Sequence, residues 1–192
     1  MRRVLIALAA VVILAAPSWA GGGVGFFGTW ADTQDAGDGY GGGGILEFDF
    51  GSHWDMQFRG TRYVEYNADF FLPGDPDQHS QEFDVTVLEF GVAYLFNSQG
   101  AVDPYVGGGF SYYMFDLVEV DGPRAGEIKD EGGWYALGGV EFALGNTWGL
   151  FIEGMYRNVK ATLKGDDLGF QPVDREVIMS GGAVNVGLKF NW

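Results

Sequence analysis

Ten charged residues recur at alternate positions along otherwise apolar segments: Glu47, Asp49, Asp55, Arg59, Glu65, Glu89, Glu141, Glu153, Arg157 and Lys189. Their neighbours, Leu46, Phe58, Leu88 and Ile152 among them, fall on the opposite parity, so in an extended chain the charges share one face of a sheet. Seven acids against three bases allow two chemistries. If the face is enclosed, the charges pair into a salt-bridged plug, because burying them singly is costly. If it is wet, they line a narrow, acidic, cation-tolerant path. A second group, Asp75, Asp77, His79, Ser80, Glu82 and Asp84, offers alternating oxygens that suit Ca²⁺. The EF-hand pattern fails, since no Gly follows His79 and Thr86 stands where a bidentate Glu is needed, so this reads as a solvated acidic loop. His79 and Ser80 invite hydrolytic chemistry, but adjacent residues of an extended chain point opposite ways. The other histidine, His53, falls in the short turn 51–53, at the opposite end from His79. No catalytic constellation, metal site or cofactor is expected.

The elements that carry these residues are strands. The stretch Val184 to Trp192 sets Val184, Val186, Leu188, Phe190 and Trp192 against Asn185, Gly187, Lys189 and Asn191, a period of two over nine residues. Comparable alternation is expected over about 24–31, 43–50, 54–66, 83–96, 104–116, 133–144, 148–160 and 177–192. Aromatics at 16% and 33 glycines favour strands over helices. Eight segments of this length suit tilted membrane crossings, which take about 9–11 residues each. Apolar edges in hydrocarbon leave backbone amides without partners, so the sheet must close. The fold expected is all-β: an antiparallel, up-and-down transmembrane β-barrel of eight strands.

Met1-Arg2-Arg3, an apolar run from Val4 to Ala16 and the small residues Ser18 and Ala20 read as a secretory signal peptide over 1–20, followed by a barrel domain over 21–192. The formal net charge is −15, and losing Arg2 and Arg3 with the leader makes it −17, which argues against nucleic acid as a partner. With no cysteine, disulfides and thiolate metal sites are out. No later run is long and apolar enough for a membrane helix.

Connections after the second, fourth and sixth segments are short, and those after the first, third, fifth and seventh are longer. The long ones, near Asp32–Asp38, Asn67–Gln81, Leu117–Gly132 and Ala161–Glu176, carry 18 of the 26 acids at or beside them. Asn67–Gln81, with two prolines, is expected to lack regular structure. Short periplasmic turns and long extracellular loops are the rule for outer-membrane barrels, so the acids form an extracellular rim. Phe50, Trp54, Phe96, Trp148 and Trp192 beside the short turns, and Trp30, Tyr66, Tyr112, Trp134 and Tyr156 near the long loops, would form two interfacial girdles. Arg62 shares the parity of Met56 and Phe58 on the lipid face. Either it reaches the headgroup zone, or a bulge near Gly60 turns it inward.

Pro104-Tyr-Val-Gly-Gly-Gly, Trp148-Gly-Leu with Met155-Tyr156-Arg157, and Gly187-Leu-Lys-Phe-Asn-Trp192 resemble the small outer-membrane barrels that include the OmpA barrel, OmpX and OmpW. The resemblance implies an eight-stranded barrel in a Gram-negative outer membrane, in contact with lipid and lipopolysaccharide. It further implies that a closing strand ending on Phe190 and Trp192 is the signal read by the barrel-assembly machinery. Members serve as structural proteins, adhesins or narrow channels, and some outer-membrane barrels modify lipid A, so fold alone leaves the role open. The role expected is non-catalytic: a monomer contributing to envelope structure or binding an extracellular partner through its acidic loops. The alternatives are a narrow porin-like channel for small or hydrophobic solutes and, less expected, a lipid A-modifying enzyme. Gly28-Thr29-Trp30 mimics the opening of lipocalins, but those barrels turn an apolar face inward, and here the inward face is charged.

Overall fold

The computed structural model describes residues 21–34, 37–71, 78–120, 127–128, 130–164 and 175–192, with the side chains of 65–71, 78–83, 116–120, 127–128, 161–164 and 175–177 outside the description. The expected leader, Asp75 and Asp77 therefore lie outside the described residues, as do the side chains of Glu65, Tyr66, His79, Ser80 and Glu82. The strands are β1 Gly22–Thr33, β2 Gly37–Asp49, β3 Trp54–Phe71, β4 Gln78–Leu95, β5 Val102–Val120, β6 Glu127–Ile128, β7 Glu131–Ala143, β8 Trp148–Asn158, β9 Lys160–Lys164, β10 Arg175–Ile178 and β11 Gly181–Asn191. Eight of them close an antiparallel barrel in the ring order β1-β11-β8-β7-β5-β4-β3-β2, and β10, β9 and β6 make a small separate sheet.

Alternation sorts the side chains as the pleat requires. Phe26 is 73% exposed on the outer wall, and its neighbour Phe27 is 6% exposed inside. The seam pairs Gly23 with Asn191 through Thr33 with Gly181, which leaves no free edge between the first and last barrel strands. Inside, the rings of Phe27 and Phe151 meet edge to face with centroids 6.2 Å apart. They fit because two glycines lie beneath them. A Cβ at Gly43 would come within 2.6 Å of Phe27 Cζ, and one at Gly187 within 2.6 Å of Phe151 Cζ.

Three expectations need correction. The first hairpin has no long loop: Asp32 pairs with Asp38 and Thr33 with Gly37, so both acids are ladder residues and only 34–36 connect the strands. Nor do residues 67–71 and 78–81 lack regular structure, since β3 and β4 stay paired out to Phe71 with Gln78; the rest of the expected loop lies outside the described residues. Likewise β5 runs on to Val120, opposite Gln81. Hydrophobic alternation disappears where both faces are wet, but ladder hydrogen bonds do not depend on it, and so the strands outlast their sequence signal. The third correction concerns the last two crossings, each expected as one strand. They break at Val159 and Ser180, where the Ser180 hydroxyl accepts the Val159 N–H at 3.2 Å and donates to its carbonyl at 3.3 Å. Beyond the break the pairing resumes as Ile178 with Lys160.

Arg62 stays outside. Register is continuous through Gly60, and the irregularity in β3 falls later, between Tyr63 and Tyr66. The Arg62 side chain is 54% exposed and reaches Asp84 at 2.7 Å and Thr86 at 3.4 Å along the outer wall.

The glycine sockets give a direct test. Gly187→Val should lower stability by at least the ~1–3 kcal/mol usual for overpacking. Gly28→Ala, with nothing within 4 Å of the new Cβ, should be neutral. Unboiled gel mobility and urea unfolding in lipid vesicles would read both.

Candidate functional site in the barrel lumen

The lumen is crossed by three tiers of polar side chains. At the short-turn end, Lys189 on β11 donates to Glu47 Oε2 on β2 at 2.5 Å and also pairs with Glu141 on β7. Strands β2 and β7 stand on opposite sides of the ring, so one ammonium joins two facing walls. Asn191 Nδ2 donates to Glu141 at 2.9 Å.

In the middle tier, Arg59 of β3 meets Glu153 of β8, again across the ring. The pair is bidentate, Nη1 to Oε1 at 2.5 Å and Nη2 to Oε2 at 2.6 Å, with side chains 1% and 0% exposed. Tyr105 donates to Glu153 at 3.2 Å and Asn185 Nδ2 donates at 2.8 Å, so the buried carboxylate is saturated as its desolvation demands. Gln57 couples the first two tiers, donating to Glu47 at 2.8 Å and accepting from Arg59 at 3.1 Å.

In the third tier Arg157 of β8 grips Glu89 of β4, Nε at 2.8 Å and Nη2 at 3.1 Å, and donates to the Tyr63 hydroxyl at 2.5 Å. Towards the long-hairpin end the inside turns apolar, with Val85, Val87, Val159 and Met179 packed around Tyr63 and Tyr113. A small void of about 20 Å³ lies between Tyr63, Val85, Tyr113 and Met179.

Of the ten charges singled out in the sequence, Glu47, Asp55, Arg59, Glu89, Glu153, Arg157 and Lys189 are buried inside. Glu141 is partly buried beside Lys189, and Asp49 is exposed at the mouth. The Glu65 side chain lies outside the description. Gln57, Tyr63 and Asn185 share the inward parity and were visible by it, but nothing along the chain announces which partner each meets. Asp103 sits where a turn is expected; it belongs to β5 and accepts the Asn97 N–H at 2.8 Å. The apolar inner cluster was not foreseen, because inward Val85, Val87 and Met179 leave no polar alternation to follow.

The aromatics stand on the outer wall at two levels. Phe50, Trp54, Phe96, Trp148 and Trp192 are exposed at the short-turn end, with Trp54 against Tyr94 at 5.0 Å and Trp148 against Phe190 at 5.4 Å. Trp30, Tyr112, Trp134 and Tyr156 are exposed nearer the other end, Trp134 and Tyr156 in contact at 5.9 Å. At the short-turn end His53 bonds Ser52 Oγ through Nδ1 at 2.8 Å and stacks on Tyr94. Among the described residues no carboxylate hydrogen-bonds that ring to orient it as a base, and no group of three or more His, Cys, Asp or Glu is placed to hold a metal.

Removing one partner of the middle pair should be far worse than removing both. Arg59→Ala strands Glu153 in the wall and should cost about 3–5 kcal/mol. Arg59→Met combined with Glu153→Leu should recover most of the loss, measured by denaturant unfolding in phospholipid vesicles.

A protein-family profile described as outer membrane protein beta-barrel domain matches residues 4–191. No curated protein matches the sequence. Among solved structures, the outer membrane protein OprG from Pseudomonas aeruginosa superposes with a TM-score of 0.69 at 14% identity, covering 91% of this chain and 96% of that one. Neisserial surface protein A gives 0.64 at 16% identity, over 88% and 96% of the two chains. The outer membrane protein W of E. coli gives 0.53 at 13%, over 91% and 99%. At these identities the likeness is one of fold, a small eight-stranded barrel of the outer membrane. With the profile spanning nearly its whole length, the chain belongs to the outer membrane protein beta-barrel domain family.

Proposed function

We propose that this barrel is a closed, non-catalytic element of the outer membrane that acts through its outer surface, in envelope structure or in contacts made by its acidic hairpins. The observation that carries this reading is the Arg59–Glu153 pair, fully enclosed and joining opposite walls at mid-lumen. An eight-stranded barrel is just wide enough for side chains to fill, and three tiers of them do so here. In this reading the short turns face the periplasm, and the two aromatic levels sit at the two interfaces of the bilayer. The leader over 1–20 directs export, and the strand ending in Phe190 and Trp192 is recognised during barrel assembly. Lipid and lipopolysaccharide surround the wall, and a partner outside the cell would meet the long hairpins.

A narrow channel for small or hydrophobic solutes is the second reading, favoured by a vestibule of about 280 Å³ that enters the lumen from the short-turn end. Planar-bilayer recordings of the refolded protein separate the two. We expect no steady openings from the native chain and measurable conductance from the Arg59→Ala, Glu153→Ala double variant. Steady cation-selective openings from the native chain would make it a channel. Overexpression should leave the lipid A profile of the host unchanged; newly acylated or deacylated species would contradict a non-catalytic role.

A further inference from the structure

Gly21, the residue just before β1, is fixed against a carboxylate at the mouth of the lumen. It is buried, and its carbonyl accepts the Asp49 N–H at 3.2 Å. The next carbonyl, of Gly22, accepts the Trp192 N–H at 3.0 Å. The start of the barrel is thus held on both sides, by the end of β2 and by the residue that follows β11. A Cβ at Gly21 would lie 2.2 Å from Asp49 Oδ2, so position 21 faces that oxygen directly. The Gly21 nitrogen hangs on the same Cα by a bond of about 1.46 Å, which puts it within about 5 Å of the oxygen. The Asp49 side chain is exposed at the mouth, and a turn about its own bonds closes that gap.

Asp49 has a use for a cation there. It lies directly across from Asp55 of β3, and the two side chains hydrogen-bond to each other. Two carboxyl groups so placed share a proton or take a positive charge beside them. Lys189 is held by Glu47 and Glu141. Among the described residues no lysine or arginine forms a salt bridge with Asp49 or Asp55.

In a continuous chain the Gly21 nitrogen is a neutral amide, and removal of the leader changes its chemistry. A leader peptidase adds water across the bond between Ala20 and Gly21. The C–N bond breaks, the Ala20 carbonyl carbon takes the oxygen and becomes a carboxylate, and both water protons pass to the Gly21 nitrogen. An α-ammonium with a pKa of about 8 is charged at neutral pH. We infer that cleavage after Ala20 supplies the cation of the Asp49–Asp55 pair, the new Gly21 ammonium closing on Asp49 and pinning the start of β1 at the mouth of the lumen. The inference rests on the reading of 1–20 as a cleaved leader. Glycine suits the position, because any side chain at 21 would push into the carboxylate that the ammonium needs.

Two measurements separate the pairing from the processing. The mass of the chain recovered from outer membranes gives its first residue. We expect Gly21; any other start overturns the inference together with the leader boundary. The pairing is read on full mature chain refolded with Gly21 as its first residue, by the rate at which an N-hydroxysuccinimide ester acetylates the α-amine near neutral pH, followed by peptide mass spectrometry. Asp49→Asn should speed labelling about two- to fivefold, the range of a partly exposed ion pair. High salt should speed labelling of the native chain and leave the variant unchanged. Asp84→Asn, on the outer wall, should keep the native rate. These changes remove charge and little volume, and unboiled gel mobility reports that each variant has folded. Equal rates in the native chain and in the Asp49→Asn, Asp55→Asn double variant would overturn the pairing and leave the leader reading standing.

Discussion

The ladder between β1 and β11 is the constraint from which the rest follows. Gly23 through Thr33 pair residue by residue with Asn191 back to Gly181, joining the two ends of the sheet into a ring. In hydrocarbon an unpaired strand edge would leave each amide and carbonyl several kcal/mol short of a partner, so an open version of this sheet has no stable place in a membrane. Closing the ring on eight strands fixes its bore. A bore this narrow cannot be left to bulk water over its length, and it cannot accept arbitrary side chains either.

The inside is therefore packed as a stack, and glycine decides where bulk fits. Phe27 and Phe151 lie over the bare backbone at Gly43 and Gly187, between the Lys189 tier and the Arg59 tier. The charged residues solve a different problem. Each buried cation reaches more than one acceptor, and each pairing joins strands that are not neighbours in the sheet. Backbone ladders hold adjacent strands together; these crossbars brace the ring from within. Their worth as stability is limited by desolvation, and their geometric effect is to leave few ways to fill the same bore.

The two ends differ in kind. At the long-hairpin end the lumen is packed with valine, methionine and tyrosine, and β3, β4 and β5 stay paired past it. At the short-turn end the ladder sets acids across from acids around an open vestibule. The outer wall follows the bilayer, with aromatic rings at two levels and glycine or aliphatic residues between. Arg62 departs from that pattern and is accommodated by Asp84 beside it on the same face.

Alternation with a period of two was enough to read the strands, the inward charges and the outward aromatics, because the pleat ties parity to side regardless of what a strand packs against. Hence Arg59, Glu153 and Lys189 could be assigned to the inside from the chain alone, and the short turns gave the sheet its up-and-down order. What parity cannot supply is the partner. Arg59 and Glu153 are 94 positions apart on facing walls, and their meeting depends on the shear and bore of the closed ring. The same holds for the far ends of β3, β4 and β5, where hydrogen-bonded pairing continues beyond the hydrophobic alternation. It holds too for Asp49 with Asp55 and Asp103 with Glu141, whose confrontation is a matter of register. Parity along the chain sets which side of the wall each residue faces. Which residues meet across the bore follows from how the ring closes, and that belongs to the folded barrel.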